Sequence, residues 1–273
     1  MPIKLLSKIP SQLPPDVTLV DTHCHLDMSA YGEDLDQVLL RARDAGVTRI
    51  VSVGIDLVSS RAAIDLARHH QGIVATVGVH PHNIAELTDS QYLELQVLAR
   101  EPEVVAWGEI GMDSVRSHTP LALQREHFQR QVLLAKAANL PLVIHDREAH
   151  VEVMEILQRE SPYPAGGVMH CFSGDSTLAR AVMELGFYIS ITGVVTYNKA
   201  DMLAEVVRTV PLTALLLETD GPYLTAVPWR GKRNEPAYLL STAQKVADLK
   251  NISLAEVAQQ TSINAAALFG DKW

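Results

Sequence analysis

The chain opens with a His-x-His pair, His23 and His25, and then sets single donors at wide intervals: Glu109, His145, His170 and Asp220. Imidazole nitrogens and carboxylate oxygens are the groups that borderline divalent cations take as ligands. Side chains alternate along an extended segment, so His23 and His25 project to one side and can clamp one metal, while Cys24 projects to the other. Cys24 and Cys171, each next to one of these histidines, read as packed thiols rather than ligands. Six donors exceed what one tetrahedral zinc accepts. The set therefore predicts two divalent metal ions, zinc, magnesium or manganese, with Glu109 bridging the His23/His25 side and the His145/His170 side. Asp220 is expected to bind the first metal and to steer or accept the proton of an attacking water. Asp220 and Glu109 are thus the expected catalytic carboxylates. A His-x-His pair alone is a weak signal; its strength comes from the later donors.

Around this set stand residues with supporting roles. Glu218 shares the face of Asp220 two residues earlier, where an unpartnered carboxylate would be costly. It is expected to accept the N–H of a ligand imidazole, with a buried salt bridge as the alternative. Asp113 closes the stretch Gly108-Glu109-Ile110-Gly111-Met112-Asp113 and is expected to orient a histidine or a substrate group, or else to hold a loop turn. His80 and His82 flank Pro81 and either contact substrate or line the loop, with His82 the candidate substrate contact. Arg147 follows His145 by two residues, and Arg230, Lys232 and Arg233 cluster beside Trp229. In a chain of net charge −9 these cations stand out as substrate-binding candidates. Arginine grips phosphate as a fork, and tryptophan offers a face to a nucleobase.

These residues act together only if the fold gathers them. Short apolar runs over 18–22, 48–54, 74–79, 104–109, 142–145, 167–170, 187–192 and 214–219 alternate with helical patterns such as 34–45, 59–69, 121–139 and 151–160, and further helical segments follow Glu235. Alternating strands and helices imply parallel βαβ units. Eight such units predict an α/β fold, a single (β/α)8 TIM barrel, whose C-terminal strand ends converge on one mouth. No glycine-rich dinucleotide loop follows a strand, which argues against a doubly wound open sheet. The expected organisation is an N-terminal arm over 1–17 and a barrel domain over 18–273. Two cysteines make no disulfide framework, and no run reaches the ~20 apolar residues of a membrane span. A cytoplasmic enzyme with no membrane association and no obligate protein partner is expected. The acidic balance argues against coating nucleic acid non-specifically, but not against a local basic patch.

The stretches VDTHCHLD, GVHPHN, GEIGMD, PLVIHDREAH, MHCFSGD, LLLETDGPYL and RGKRNEPAYL occur in this order. Over residues 18–270 the chain resembles the TatD family of metal-dependent deoxyribonucleases. The resemblance implies a barrel, metal-dependent hydrolysis of DNA at single-stranded or 3′ ends by exonuclease action, and metal ligation by His23, His25, Glu109, His145, His170 and Asp220. The chain departs from the family pattern at Asn83, Ser114 and Asp146, none of them a ligand. Two other functions are compatible with parts of the sequence: a small-molecule amide, ester or phosphoester hydrolase on the same dinuclear barrel, and a non-catalytic binding scaffold.

Overall fold

A computed structural model describes residues 13–271. Of the arm expected over 1–17, positions 1–12 lie outside the described residues. Leu13 packs on the core, and a turn closes with Val17 N–H donating to Pro14 O at 3.0 Å.

The described residues alternate strand and helix in the order the apolar runs predict. The strands are β1 (Leu19–Cys24), β2 (Val47–Ser52), β3 (Ile73–Val77), β4 (Val104–Asp113), β5 (Leu142–Arg147), β6 (Gly167–Met169), β7 (Phe187–Ile191) and β8 (Leu215–Leu217). The helices are α1 (Leu35–Asp44), α2 (Leu57–His69), α3 (Asp89–Leu98), α4 (Leu121–Ala138), α5 (His150–Glu160), α6 (Ser176–Glu184), α7 (Asp201–Thr209), α8 (Leu239–Lys250) and α9 (Leu254–Phe269). The helix boundaries have local causes. Asp56 caps α2 by accepting from Ser59 N at 2.7 Å, and Ser253 with Glu256 forms a reciprocal cap at α9. Asn139 ends α4 in the left-handed region at φ 52°, where asparagine is tolerated.

All eight strands are parallel and lie in sequential order. The seam between β8 and β1 closes just beyond the strands. Cys24 bridges Gly221, Asp220 N–H donates to His23 O at 2.9 Å, and His25 N–H donates to Gly221 O at 2.8 Å. The fold is a (β/α)8 TIM barrel, as predicted. A large apolar cluster lies between strands and helices. A second, built of Val20, Val51, Val74, Val105, Val143, Val168 and Leu216, fills the barrel, and Ala265, Leu268 and Phe269 of α9 pack against it. Such a filled interior is what makes the barrel a rigid frame rather than a pore. Among the described residues no helix is long and apolar enough to cross a membrane.

Candidate active site

Strand alternation carries the filled interior up into a polar mouth. Along β5 the same face holds Val143, then His145, then Arg147; along β6 and its extension, Val168 then His170; along β8 and its extension, Leu216, Glu218, Asp220. Each series begins in the apolar plug and ends in a donor. Glu109 reaches the same point from β4, where Gly111 lets two backbones close up: a Cβ there would collide with the carbonyl of His145.

The donors converge on Glu109. Its Oε2 lies 3.3 Å from His23 Nε2 and 3.8 Å from His25 Nε2. Its Oε1 lies 2.8 Å from His145 Nδ1, 3.2 Å from His170 Nε2 and 3.5 Å from His80 Nε2. Asp220 Oδ1 completes the first side, 3.5 Å from His25 Nε2 and 3.8 Å from His23 Nε2. The structure thus brings all six expected donors together, with one carboxylate oxygen facing each side. It also adds His80, which the sequence reading did not count among the metal donors. His80 has the interior parity of β3 (Val74, Thr76, Gly78, His80), and counting that alternation one step past the strand would have found it.

The donor set fits divalent cations. His23 Nε2 and His25 Nε2 approach to 3.4 Å with carboxylate oxygens beside both. Ligands about 2.0–2.1 Å from a tetrahedral ion sit about 3.4 Å apart, so the spacing is that of atoms around a common cation. His23, His25 and Asp220 form one such group, His23, Glu109 and His170 a second, and His80, Glu109 and His145 a third. Electrostatics points the same way. Burial pushes the Glu109 carboxyl up, but the surrounding histidines outweigh it and hold it well below the usual range. Burial likewise opposes ionisation of Asp220, and the hydrogen bond from His25 with the charges of His170 and His23 keeps its carboxyl low. Both carboxylates are therefore anionic at neutral pH.

Residues behind the donors fix their direction. Glu218 is buried and places Oε1 3.0 Å from His170 Nδ1, while accepting from Cys171 N at 2.6 Å and from Ser190 Oγ at 2.7 Å. Asp113 does two things at once. Its Oδ2 accepts from His82 Nε2 at 2.8 Å and lies 3.4 Å from His145 Nε2, while Oδ1 accepts the N–H groups of Val115 and Arg116 at 2.8 Å. His82 is half-exposed above this carboxylate. Asp21, buried in β1, accepts from Thr219 N at 2.9 Å and from Thr219 Oγ1 at 2.5 Å, and so ties the strand bearing His23 to the one bearing Asp220.

The cations divide into two kinds. Arg147 continues the His145 face, and among the described residues its guanidinium has no acidic partner. Arg230 stands over the Tyr197 ring at 4.2 Å and Lys232 near the Trp229 ring at 5.7 Å, both exposed and without acidic partners among the described residues. Arg233 is engaged by the chain itself: it donates to Asp34 Oδ1 at 2.6 Å and Oδ2 at 2.9 Å and lies 3.6 Å from Glu235. Trp229, expected as a stacking face for a base, is buried and stacked on Tyr238 at 4.9 Å, so it is part of the packing under the loop.

A (β/α)8 barrel with histidines and carboxylates clustered at the C-terminal strand ends defines the class of metal-dependent hydrolases. Within it, the chain belongs to the family described as TatD related DNase, which it matches over residues 20–270. It is 41% identical over 92% of its length, and 98% of the relative, to the uncharacterized metal-dependent hydrolase YabD of Bacillus subtilis. It is 36% identical over 92% of its length to the 3′-5′ ssDNA/RNA exonuclease TatD of Erwinia amylovora, covering 100% of that protein. Among solved structures it superposes on YjjV, a TatD homologue of Escherichia coli, with a TM-score of 0.89 and 31% identity over 93% of this chain and 98% of that one.

Proposed function

We propose that the chain hydrolyses phosphodiester bonds of DNA, acting as an exonuclease on single-stranded or 3′ ends. The observation that carries this reading is the pairing of two features: a buried set of metal donors, and cations that have no acidic partner among the described residues, Arg147, Arg230 and Lys232, in a chain of net charge −9. A neutral amide or lactone needs no phosphate clamp, whereas a phosphodiester needs both. The Erwinia relative, named as an exonuclease, supports the same substrate class.

His23, His25, Glu109, His145, His170 and Asp220 would hold two divalent ions, zinc, manganese or magnesium. Such ions activate water and neutralise charge on a phosphoryl oxygen. Asp220 accepts the proton of the attacking water, being anionic and open at the mouth. Glu218 and Asp113 hold the His170 and His145 rings in direction. Arg147, Arg230 and Lys232 orient phosphates, with His82 at the rim. Arg233, gripped by Asp34, contributes through the loop shape instead. A cytoplasmic site of action rests on the two unpaired thiols, Cys24 and Cys171.

The test is hydrolysis of end-labelled single-stranded DNA with magnesium, manganese or zinc, beside a chelator control and Glu109→Ala. Metal-dependent shortening that Glu109→Ala abolishes supports the nuclease reading, and the ladder gives polarity. No cleavage by folded, metal-loaded protein moves the assignment to a small-molecule hydrolase.

A further inference from the structure

Among the described residues Tyr223 is the one strongly exposed aromatic side chain, at 53%. It lies three residues past Asp220, and its ring centroid is 6.3 Å from that of His25. Its backbone is tied to the site on both sides, and the ring reaches one further contact. Tyr223 N–H donates to Asp220 O at 2.9 Å, Tyr223 O accepts from Asn234 Nδ2 at 2.5 Å, and the hydroxyl donates to Met28 Sδ at 3.5 Å. Asn234 is itself buried and also donates to Thr219 O at 2.8 Å, so one side chain braces both flanks of Asp220.

We propose that Tyr223 is the platform on which the terminal nucleobase of a single-stranded substrate stacks while its phosphate enters the His25/Asp220 side of the site. The proposal rests on the nuclease reading and names its base subsite. An exposed aromatic face on an anchored backbone next to a charged cluster suits a ligand that is apolar on one part and anionic on the next, which describes a nucleotide. Stacking uses the π-face that every base has, so this subsite is tolerant of sequence. It also favours single strands, since a terminal base in a duplex is already paired and stacked. With Trp229 buried against Tyr238, the exposed aromatic face at this mouth is Tyr223.

The experiment uses the full chain loaded with manganese and two oligonucleotides, identical except that one carries an abasic tetrahydrofuran at the terminal position that is removed. Wild type is expected to release the normal terminal nucleotide about 10-fold faster, the scale of one base–aromatic stack. In Tyr223→Ala that ratio falls towards one; in Tyr223→Phe it is kept, because the ring and not the hydroxyl does the stacking. Melting curves check that both variants are folded. A wild-type ratio near one overturns the proposal. So does a Tyr223→Ala enzyme that slows equally on both substrates, which would make the ring a brace for Asp220. Failure of wild type to cut either oligonucleotide is a different result: it overturns the nuclease reading, and the base platform with it.

Discussion

The floor of the mouth and the loop that overhangs it are both crowded with charge, and they handle it in opposite ways. On the floor, histidines and carboxylates press against one another, and three of the rings have an acceptor near the far nitrogen: His25 Nδ1 lies 3.3 Å from Val53 O, His170 Nδ1 3.0 Å from Glu218 Oε1, and His145 Nε2 3.4 Å from Asp113 Oδ2. The near sides have only each other, and buried charge gathered in this way calls for a cation. The loop after β8 instead splits its cations. Arg233 is matched by Asp34 within the chain, while Arg230 and Lys232 rest over aromatic rings with no acid partner among the described residues. A donor set spaced for a cation and cations placed for an anion are both open to a ligand. Arg233–Asp34 is a finished pair.

The sharpest way to break the comparison is to remove the centre of the floor. Glu109→Ala is expected to lose bound metal, read by elemental analysis, and to lower the rate by at least about 10³-fold, beyond the ~10–100-fold typical of residues behind the ligands. Asp220→Asn should keep metal and still lose at least about 10²-fold, because the amide cannot take the proton. A near-wild-type Asn variant with metal bound would remove Asp220 from that role. Glu218→Gln probes the shell behind: the amide can still meet His170 but carries no charge, and about 10-fold in metal affinity is expected. An unchanged affinity would reduce Glu218 to packing.

Much of the floor was legible in the sequence, because strand alternation and strand ends are properties a sequence displays. Glu109, His145 and His170 each end an apolar run and Asp220 directly follows one, and the barrel brings such ends together. What escaped is what depends on partners. His80 directly follows its apolar run and is one of two histidines flanking Pro81, so the sequence alone does not separate a donor from a loop residue there. Trp229 looked available because it sits in a charged loop, yet Tyr238, nine residues later, covers it. Arg233 looked equivalent to Arg230 until the fold supplied Asp34 from the start of α1, 199 residues away in sequence. Tyr223 drew no notice as a site residue, since exposure of a ring cannot be read from the sequence.

On the loop the expected effects are smaller and opposite in kind. Arg230→Ala and Arg147→Ala should raise KM for DNA about 3–10-fold, with a weaker salt dependence, and leave the melting temperature unchanged. Salt-insensitive binding in the wild type would contradict a phosphate clamp. Arg233→Ala should do the reverse, lowering the melting temperature while KM moves little, because it leaves Asp34 with Arg41 as its remaining cation and shifts the loop's anchor.

The smallest effect belongs to Asp34. The hydrogen bond from Arg233, against modest desolvation, lowers its carboxyl from 3.8 to about 2. A depressed folded value means that the contribution is fully present above the ordinary value of 3.8 and is lost as pH falls through about 2. The pair is substantially exposed, so Asp34→Asn should cost about 1 kcal/mol or less, and a melting shift of about 2–4 °C per kcal/mol. That difference from wild type should hold from pH 7 down to about pH 4 and shrink below it, as the wild-type carboxyl takes up its proton. Arg41 donates to Glu235 at 2.7 and 2.8 Å, so the loop keeps a second anchor, and DNA hydrolysis should change less than about 2-fold at a surface site of this kind. A melting difference that persists unchanged to pH 2 would mean that the charge of Asp34 is not what holds Arg233, and the loop's division into finished and unfinished cations would fail at its best-formed pair.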